Sequence, residues 1–227
     1  LDNGATLTGN LSVANGQSLT LKNGGGWTGT ATVGVAGQNN GFLYLGTDTT
    51  LNNGLVFTGT NSQLTYPSSP RILTVSSTGS LTRTGAGGST SSFNHIVNAG
   101  AVSVTGGTFF SSGNFTNQAG GFVSVSSNAT FTQSSNAFVQ TGGALKVDGT
   151  FNPGSAGLAI QGGSVSGIGT LTGNTTFTGG TLDPGNPTGT LTFSGNLILG
   201  PGATTLLEIG NASSDRIAGI GNLTFGG

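Results

Sequence analysis

The chain has 227 residues, and only 5% of them are Asp, Glu, Lys or Arg, against about 25% in an ordinary globular domain. The net charge of −1 excludes the basic surface that nucleic acid or anionic lipid requires, and no apolar run approaches the ~20 residues of a transmembrane helix. Cysteine is absent, which excludes disulfides, cysteine nucleophiles and cysteine-based zinc clusters.

The predicted elements are short β-strands. Alternating apolar and polar residues, bounded by Gly, Asn, Ser or Pro, occur at 19–22, 42–45, 102–105, 122–125, 144–147, 190–193 and 196–199. No segment has the apolar spacing of an amphipathic helix. Asn-Gly pairs, which turn a chain sharply, begin at Asn3, Asn15, Asn23, Asn40 and Asn53.

Paired glycines precede a strand at several places in the second half of the chain. The second glycines of these pairs are Gly107, Gly121, Gly143, Gly163 and Gly180. From Gly121 onward they recur at intervals of about 20 residues, which is the length of one coil of a parallel β-helix. Such coils must stack to bury a continuous core. The sequence therefore predicts an all-β solenoid of about ten coils, forming one domain over residues 1–227. An antiparallel β-sandwich or barrel is the alternative.

Strand alternation also predicts which side chains enter the core of the solenoid. The inward positions are Leu145, Val147, Leu191, Phe193, Leu197 and Leu199. The outward positions are Lys146, Asp148, Thr192 and Asn196.

The most distinctive motif is the run TLDPGNPTGTLTFSGNLILGPGATTLLEI at residues 181–209. With its flanks it resembles the autotransporter-associated β-strand repeat family. The matching residues are Gly180, Leu182, Pro184, Gly185, Asn186, Gly189, Leu191, Gly195, Asn196, Leu197, Leu199, Gly202 and Glu208. Thr188 stands where the family has a second proline, and Pro187 comes one place early. Residues 215–227 are similar to the strand that commonly follows, so the recognisable repeat covers 167–227.

The resemblance implies a right-handed parallel β-helix that a bacterium exports to its surface or to the extracellular space. It implies no catalytic activity, because members serve as adhesins, stalks and other surface structures.

The few ionisable residues do not form a recognisable active site. Asp183 lies in a Pro-Gly context typical of a turn, and Glu208 is expected to face solvent. Lys146 and Asp148 share a strand face and predict an exposed ion pair, whereas glycoside hydrolysis needs two carboxylates at a set distance. His95 is the only histidine, and no nucleophile elbow precedes a helix. We therefore expect no enzyme activity, no catalytic residue, no metal site and no cofactor.

The aromatic residues suggest a packed core with a few candidates for glycan binding. Most of the 13 phenylalanines are expected to stack between coils. Trp27, Tyr44 and Tyr66 are the candidates for stacking on a sugar, with core or edge packing as the alternative for each.

The first and last segments of the sequence are both strand-like, and neither shows a charged or helical capping segment. Leu7, Leu11, Leu223 and Phe225 are therefore the candidate assembly interface. The first hypothesis is an extracellular structural protein that polymerises head-to-tail through open solenoid ends. The alternative is a passenger-type adhesin that binds a surface or matrix glycan along one sheet face.

Overall fold

The computed structural model describes residues 1–23, 25–38, 41–134, 136–185 and 188–226, and within them it contains 29 β-strands and no helix. The described part of the chain accordingly holds no helix that could cross a membrane. The predicted turn at Asn40 and the family-motif residues Asn186 and Pro187 lie outside the described residues.

The strands form three ladders, and each coil adds one strand to ladder one, then to ladder two, then to ladder three. In two late coils a single long strand serves both ladder one and ladder two. The strands at ladder-one positions are β1 (Thr6–Leu7), β4 (Gly26–Trp27), β7 (Thr49–Leu51), β10 (Ile72–Val75), β13 (His95–Asn98), β16 (Phe115–Asn117), β19 (Phe138–Gln140), β22 (Leu158–Ile160), the first part of β25 (Thr175–Pro184), the first part of β27 (Leu197–Thr205) and β29 (Leu223–Phe225).

Ladders two and three run alongside ladder one for the length of the solenoid. Ladder two contains β2 (Leu11–Val13), β5 (Ala31–Val33), β8 (Gly54–Phe57), β11 (Ser80–Arg83), β14 (Ala101–Val104), β17 (Phe122–Val125), β20 (Ala144–Val147), β23 (Ser164–Gly167) and the second parts of β25 and β27. Ladder three contains β3 (Ser18–Leu21), β6 (Phe42–Leu45), β9 (Asn61–Thr65), β12 (Ser89–Ser92), β15 (Gly107–Ser111), β18 (Ala129–Gln133), β21 (Thr150–Asn152), β24 (Thr170–Leu171), β26 (Thr190–Phe193) and β28 (Arg216–Ala218).

All pairings between the named strands are parallel, as between β10 and β13 or between β15 and β18. A strand typically pairs with the one three places later, which is its equivalent in the next coil. The predicted β-solenoid of about ten coils is confirmed, and the antiparallel sandwich is excluded, because neighbouring strands along the chain do not form hairpins in the ladders.

The core lies inside the solenoid, where the alternate residues of each strand meet. All six residues predicted to face inward are buried, and the four predicted to face outward are partly exposed. Phenylalanines stack between coils as expected: the Phe115 and Phe138 rings are 4.6 Å apart and nearly parallel, and so are Phe131 and Phe151 at 4.9 Å. Burial of these columns drives the coils together.

The paired glycines mark the corner between ladders one and two. The register joins Phe122 to Ala144, Ala144 to Ser164 and Ser164 to Thr181, so the residues that follow successive glycine pairs stack on one another. Gly163 has a φ of +75°, and a Cβ there would lie 2.1 Å from the carbonyl oxygen of Gly143. Only glycine satisfies both conditions. Gly107 is the exception, because it begins β15 in ladder three and therefore marks a different corner from the other paired glycines. Its inclusion among the repeated glycine pairs was wrong.

A short ladder of amides is buried beside that corner. Asn98 Nδ2 donates to Asn117 Oδ1 at 2.8 Å, and Asn117 Nδ2 donates to Gln140 Oε1 at 3.2 Å. Gln140 Nε2 then donates to the backbone oxygen of Ser164 at 2.9 Å. These side chains satisfy buried polar groups where the backbone leaves the ladder.

Arg83 is the one charged residue in the described core, only 1% exposed, at the inward end of β11. Its guanidinium donates to the carbonyl oxygens of Phe57 at 3.3 Å and Gly87 at 2.7 Å. Desolvation by burial lowers the pKa of Arg83. Two backbone oxygens therefore hold a cation that has no carboxylate partner among the described residues.

Candidate functional surfaces

The C-terminal end of the solenoid exposes residues that continue the core. Leu223 is in register with Leu197, and Phe225 is in register with Leu199. Leu197 and Leu199 are buried, whereas Leu223 is 44% exposed and Phe225 is 70% exposed. Both exposed residues therefore lie at inward positions of the last coil within residues 1–227.

The other end of the solenoid has the same organisation. Leu7 pairs with Trp27 and is 39% exposed, and Leu11 pairs with Ala31 and packs partly against the core. Within the described chain, β1 and β2 pair on one side only. The outer edge of β3 is partly covered by Leu1, whose N-terminus donates to the carbonyl oxygen of Thr20 at 2.7 Å and whose carbonyl oxygen accepts from the backbone N–H of Lys22 at 2.8 Å. The four residues predicted as an assembly interface thus lie on the two outermost coils, two at each end.

A hairpin projects from the last coils between β27 and β28. Ile209 and Ser214 form its antiparallel bridge, and Gly210 N donates to the carbonyl oxygen of Ser213 at 2.9 Å. Three apolar side chains of this segment are exposed: Leu206, Leu207 and Ile209, the last at 88%.

The hairpin brings together three carboxylates that are distant in sequence. Oxygens of Asp183, Glu208 and Asp215 lie within 4.8 Å of one another. Asp215 accepts from the backbone N–H of Gly189 at 3.0 Å and of Glu208 at 2.8 Å, which fixes the hairpin to its neighbours. Asp183 lies within β25, so its predicted place in a turn was wrong. Asp215 was missed because a single Asp in a polar loop carries no distinctive motif.

The surroundings of the Glu208 carboxyl make it harder to ionise than a free carboxyl. Desolvation, followed by the charge and hydrogen bond of Asp215 and the charge of Asp183, raises the pKa of Glu208. Among the described residues this is the group of acids whose ligand atoms are close enough to share a cation. Acidic groups of this kind are common without a bound ion, and the absence of a metal site stays a prediction.

The three aromatic candidates for glycan binding do not form one surface. Trp27 is only 8% exposed, and its Nε1 donates to the carbonyl oxygen of Gly54 at 3.2 Å. The indole of Trp27 therefore packs in the core, which was the predicted alternative to stacking on a sugar. Tyr44 lies on the outer side of ladder three, where its ring stacks on Phe42 at 6.1 Å. Tyr66 directly follows β9 and is partly exposed.

Sequence reasoning missed further aromatic residues on the outer side of ladder three. Phe93 directly follows β12 and is exposed, as is Phe110 in β15. With Phe42 and Tyr44 they place four outward aromatic rings on this side between β6 and β15. Alternation within β15 was the available signal: Phe109 is buried, so Phe110 must face outward.

The other ionisable candidates have structural roles. Lys146 Nζ lies 3.2 Å from Asp148 Oδ2, which confirms the predicted ion pair. His95 Nδ1 accepts from the backbone N–H of Asn114 at 2.9 Å. This bond links adjacent coils at the edge of ladder one, and it leaves the imidazole without a carboxylate partner in the described chain.

The class of molecule that these observations define is a parallel β-solenoid. Comparison with protein-family models, curated proteins and solved structures found no match.

Proposed function

We propose that this chain is an extracellular structural protein of a bacterial surface that polymerises head-to-tail through its solenoid ends. The observation that carries the proposal is the exposure of Leu223 and Phe225 at positions that are buried one coil earlier. The bacterial exterior comes from the resemblance of residues 167–227 to the autotransporter-associated repeat.

The geometry of the two ends favours stacking of a second copy. At the C-terminal end the outermost strands of the ladders present an edge to solvent, and at the N-terminal end β1 and β2 do so, while Leu1 hydrogen-bonds to the outer edge of β3. The strands run in the same direction in every coil, so the first coil of one molecule can continue the ladders of another. Such a contact is heterologous and does not close, and it therefore generates fibres.

Burial and charge support the same outcome. Covering the part of each side chain that is still exposed would contribute about 1 kcal/mol for Leu223 and about 1–2 kcal/mol for Phe225, before the entropic cost of association. The net charge of −1 provides little repulsion between molecules. Backbone pairing along three ladders would add direction and register to this apolar contact.

The test is the double substitution Leu223→Asp with Phe225→Asp, followed by analytical ultracentrifugation and negative-stain electron microscopy. We expect fibres for the unmodified chain and monomers for the variant, since two carboxylates would be buried without partners in the stacked state. Ile168→Asp is the matched control, because Ile168 is a 55% exposed apolar residue that lies before the last coils. Assembly that survives the double substitution, or that Ile168→Asp abolishes equally, would contradict end stacking.

A second candidate function is glycan binding along ladder three, as in a passenger-type adhesin. The four outward aromatic rings from Phe42 to Phe110 favour it, because exposed aromatic faces stack on the apolar faces of sugars. A glycan array probed with the double Asp variant tests this candidate without interference from assembly. Binding should be lost on Phe93→Ala with Phe110→Ala; an array without a hit would reject it.

A further inference from the structure

The buried polar atoms that lack a partner are concentrated in one coil of the solenoid. Among the described residues, seven buried side-chain nitrogen or oxygen atoms have no hydrogen-bond partner, and five of these lie between residues 71 and 94. This stretch is the fourth coil, which contains β10, β11 and β12. The five atoms are Arg71 Nε, Arg83 Nε, Thr90 Oγ1, Ser92 Oγ and Asn94 Nδ2. A buried polar group without a partner has lost its bonds to water and gained none in return, so these groups destabilise the fourth coil in particular.

β12 also adds the least apolar surface to ladder three. Its inward residues are Thr90 and Ser92, and both are fully buried. Every other described strand of ladder three has at least one apolar residue at an inward position. The column that contains Thr90 continues through the next three coils with aromatic side chains, namely Phe109, Phe131 and Phe151. The aromatic column therefore begins only after the fourth coil.

Arg83 places a buried cation in the same coil. Its terminal nitrogens bond to backbone oxygens, but its Nε has no described partner. The equivalent positions in the neighbouring coils are occupied by Phe57 in β8 and Val104 in β14. A guanidinium between two apolar side chains weakens the contact of the fourth coil with both neighbours, because part of the group is desolvated without compensation.

The backbone ladders continue through this coil without a break. β12 pairs with β9 and with β15, over four residues on each side. The fourth coil is therefore held by its strand edges, while its side chains contribute poorly to the core. Because each coil of a solenoid contacts only its neighbours, one poorly packed coil weakens the connection between the parts on either side.

We propose that the fourth coil is a built-in point of opening, which divides the solenoid into two cooperative units. One unit contains the coils before β10, and the other contains the coils from β13 onward, including the stacked phenylalanines. Opening at β12 breaks less apolar contact than opening among the phenylalanine-rich coils, and cooperative units separate where such contact is least. The fourth coil lies away from both ends of the solenoid, so this inference depends on neither proposed function.

Native-state hydrogen exchange on the full chain tests the proposal. β12 is the fourth strand from one end of ladder three, and β21 is the fourth strand from the other end. Fraying of the ends, or stacking of the ends on other molecules, therefore acts on the two strands alike. We expect the amides of β12 to exchange about ten- to hundredfold faster than those of β21, because the unpartnered groups favour opening. Equal exchange, or faster exchange in β21, would overturn the proposal.

The double substitution Thr90→Val with Ser92→Ala identifies the cause of the opening. It removes two unpartnered hydroxyls with little change in side-chain volume, so exchange in β12 should slow about tenfold or more. Thr82→Val with Ser91→Ala is the matched control, because both residues face outward in β11 and β12. This control should leave the exchange rates unchanged.

Two results with these variants would also overturn the proposal. Unchanged or faster exchange after Thr90→Val with Ser92→Ala would show that the two hydroxyls stabilise the coil, as they would by bonding to buried water. Equal slowing by the outward pair would show that the effect does not come from the core.

Discussion

Phe131 shows how single residues hold this solenoid together. Its ring lies within 4.9–5.8 Å of the rings of Phe109, Phe115, Phe138 and Phe151, which come from two ladders and successive coils. One of these contacts is stacked, two are edge-to-face and one is tilted. The quadrupoles of aromatic rings favour the edge-to-face and offset-stacked arrangements. One side chain therefore connects several coils at once.

Truncation of this ring should be among the most damaging changes in the core. We expect Phe131→Ala to lower the free energy of unfolding by about 3–5 kcal/mol, because the cavity lies among rings that cannot all collapse into it. Phe110→Ala is the control, since Phe110 faces outward in the neighbouring strand β15. Urea denaturation followed by circular dichroism measures both; similar losses would contradict the assignment of Phe131 as a core connector.

Glycines at the corners should differ in their tolerance of a methyl group. Gly163 and Gly16 both have positive φ, of +75° and +70°, but nothing lies within 4 Å of a Cβ at Gly16. Gly16→Ala should therefore cost only the left-handed strain of about 1–2 kcal/mol. Gly163→Ala should cost more, because its Cβ would meet the carbonyl oxygen of Gly143. Equal shifts in the denaturation midpoint would show that the corner is not as tight as described.

At the scale of elements, alternation within strands predicted the inward residues correctly, because burial on one side of a strand leaves little choice of register. The same rule could not foresee Arg83, which occupies an inward position of β11 and donates to the carbonyl oxygens of Phe57 in the preceding coil and Gly87 in the following loop. The bond to Phe57 depends on contact between coils, and spacing within one strand does not report on such contacts.

The hairpin between β27 and β28 yields a prediction about pH. The pKa of Glu208 in the folded chain is raised above its ordinary value of 4.5, so the folded state holds the Glu208 proton more tightly than the unfolded state does. The protonated carboxyl therefore stabilises the fold fully below about pH 4.5. That stabilisation is lost as the pH rises through the folded pKa. NMR titration of the side-chain carboxyl should give a pKa above 4.5 for Glu208. Asp215→Asn should move that value back toward 4.5. A measured Glu208 pKa at or below 4.5 would contradict the arrangement of the three carboxylates. So would a Glu208 pKa that does not change when Asp215 is replaced by Asn.

At the scale of the whole molecule, the recurrence of the glycine pairs predicted the solenoid, since a coil as short as the interval between them cannot bury a core alone. The sequence also predicted which apolar residues lie on the outermost coils, because the alternation of apolar and polar residues extends to Leu7 at one end and to Phe225 at the other. It did not predict the carboxylate cluster. That cluster combines segments from different coils, and the variable coil length hides their juxtaposition.

The central claim is that the two ends of the solenoid are complementary to each other. Small-angle X-ray scattering over a range of protein concentrations, with light scattering on the same samples, tests it most directly. About ten coils at ~4.8 Å give a rod of about 50 Å. We predict that particle mass and length increase with concentration while the cross-section stays constant. Monodisperse rods of one monomer length at every concentration, or growth in cross-section instead of length, would contradict the claim.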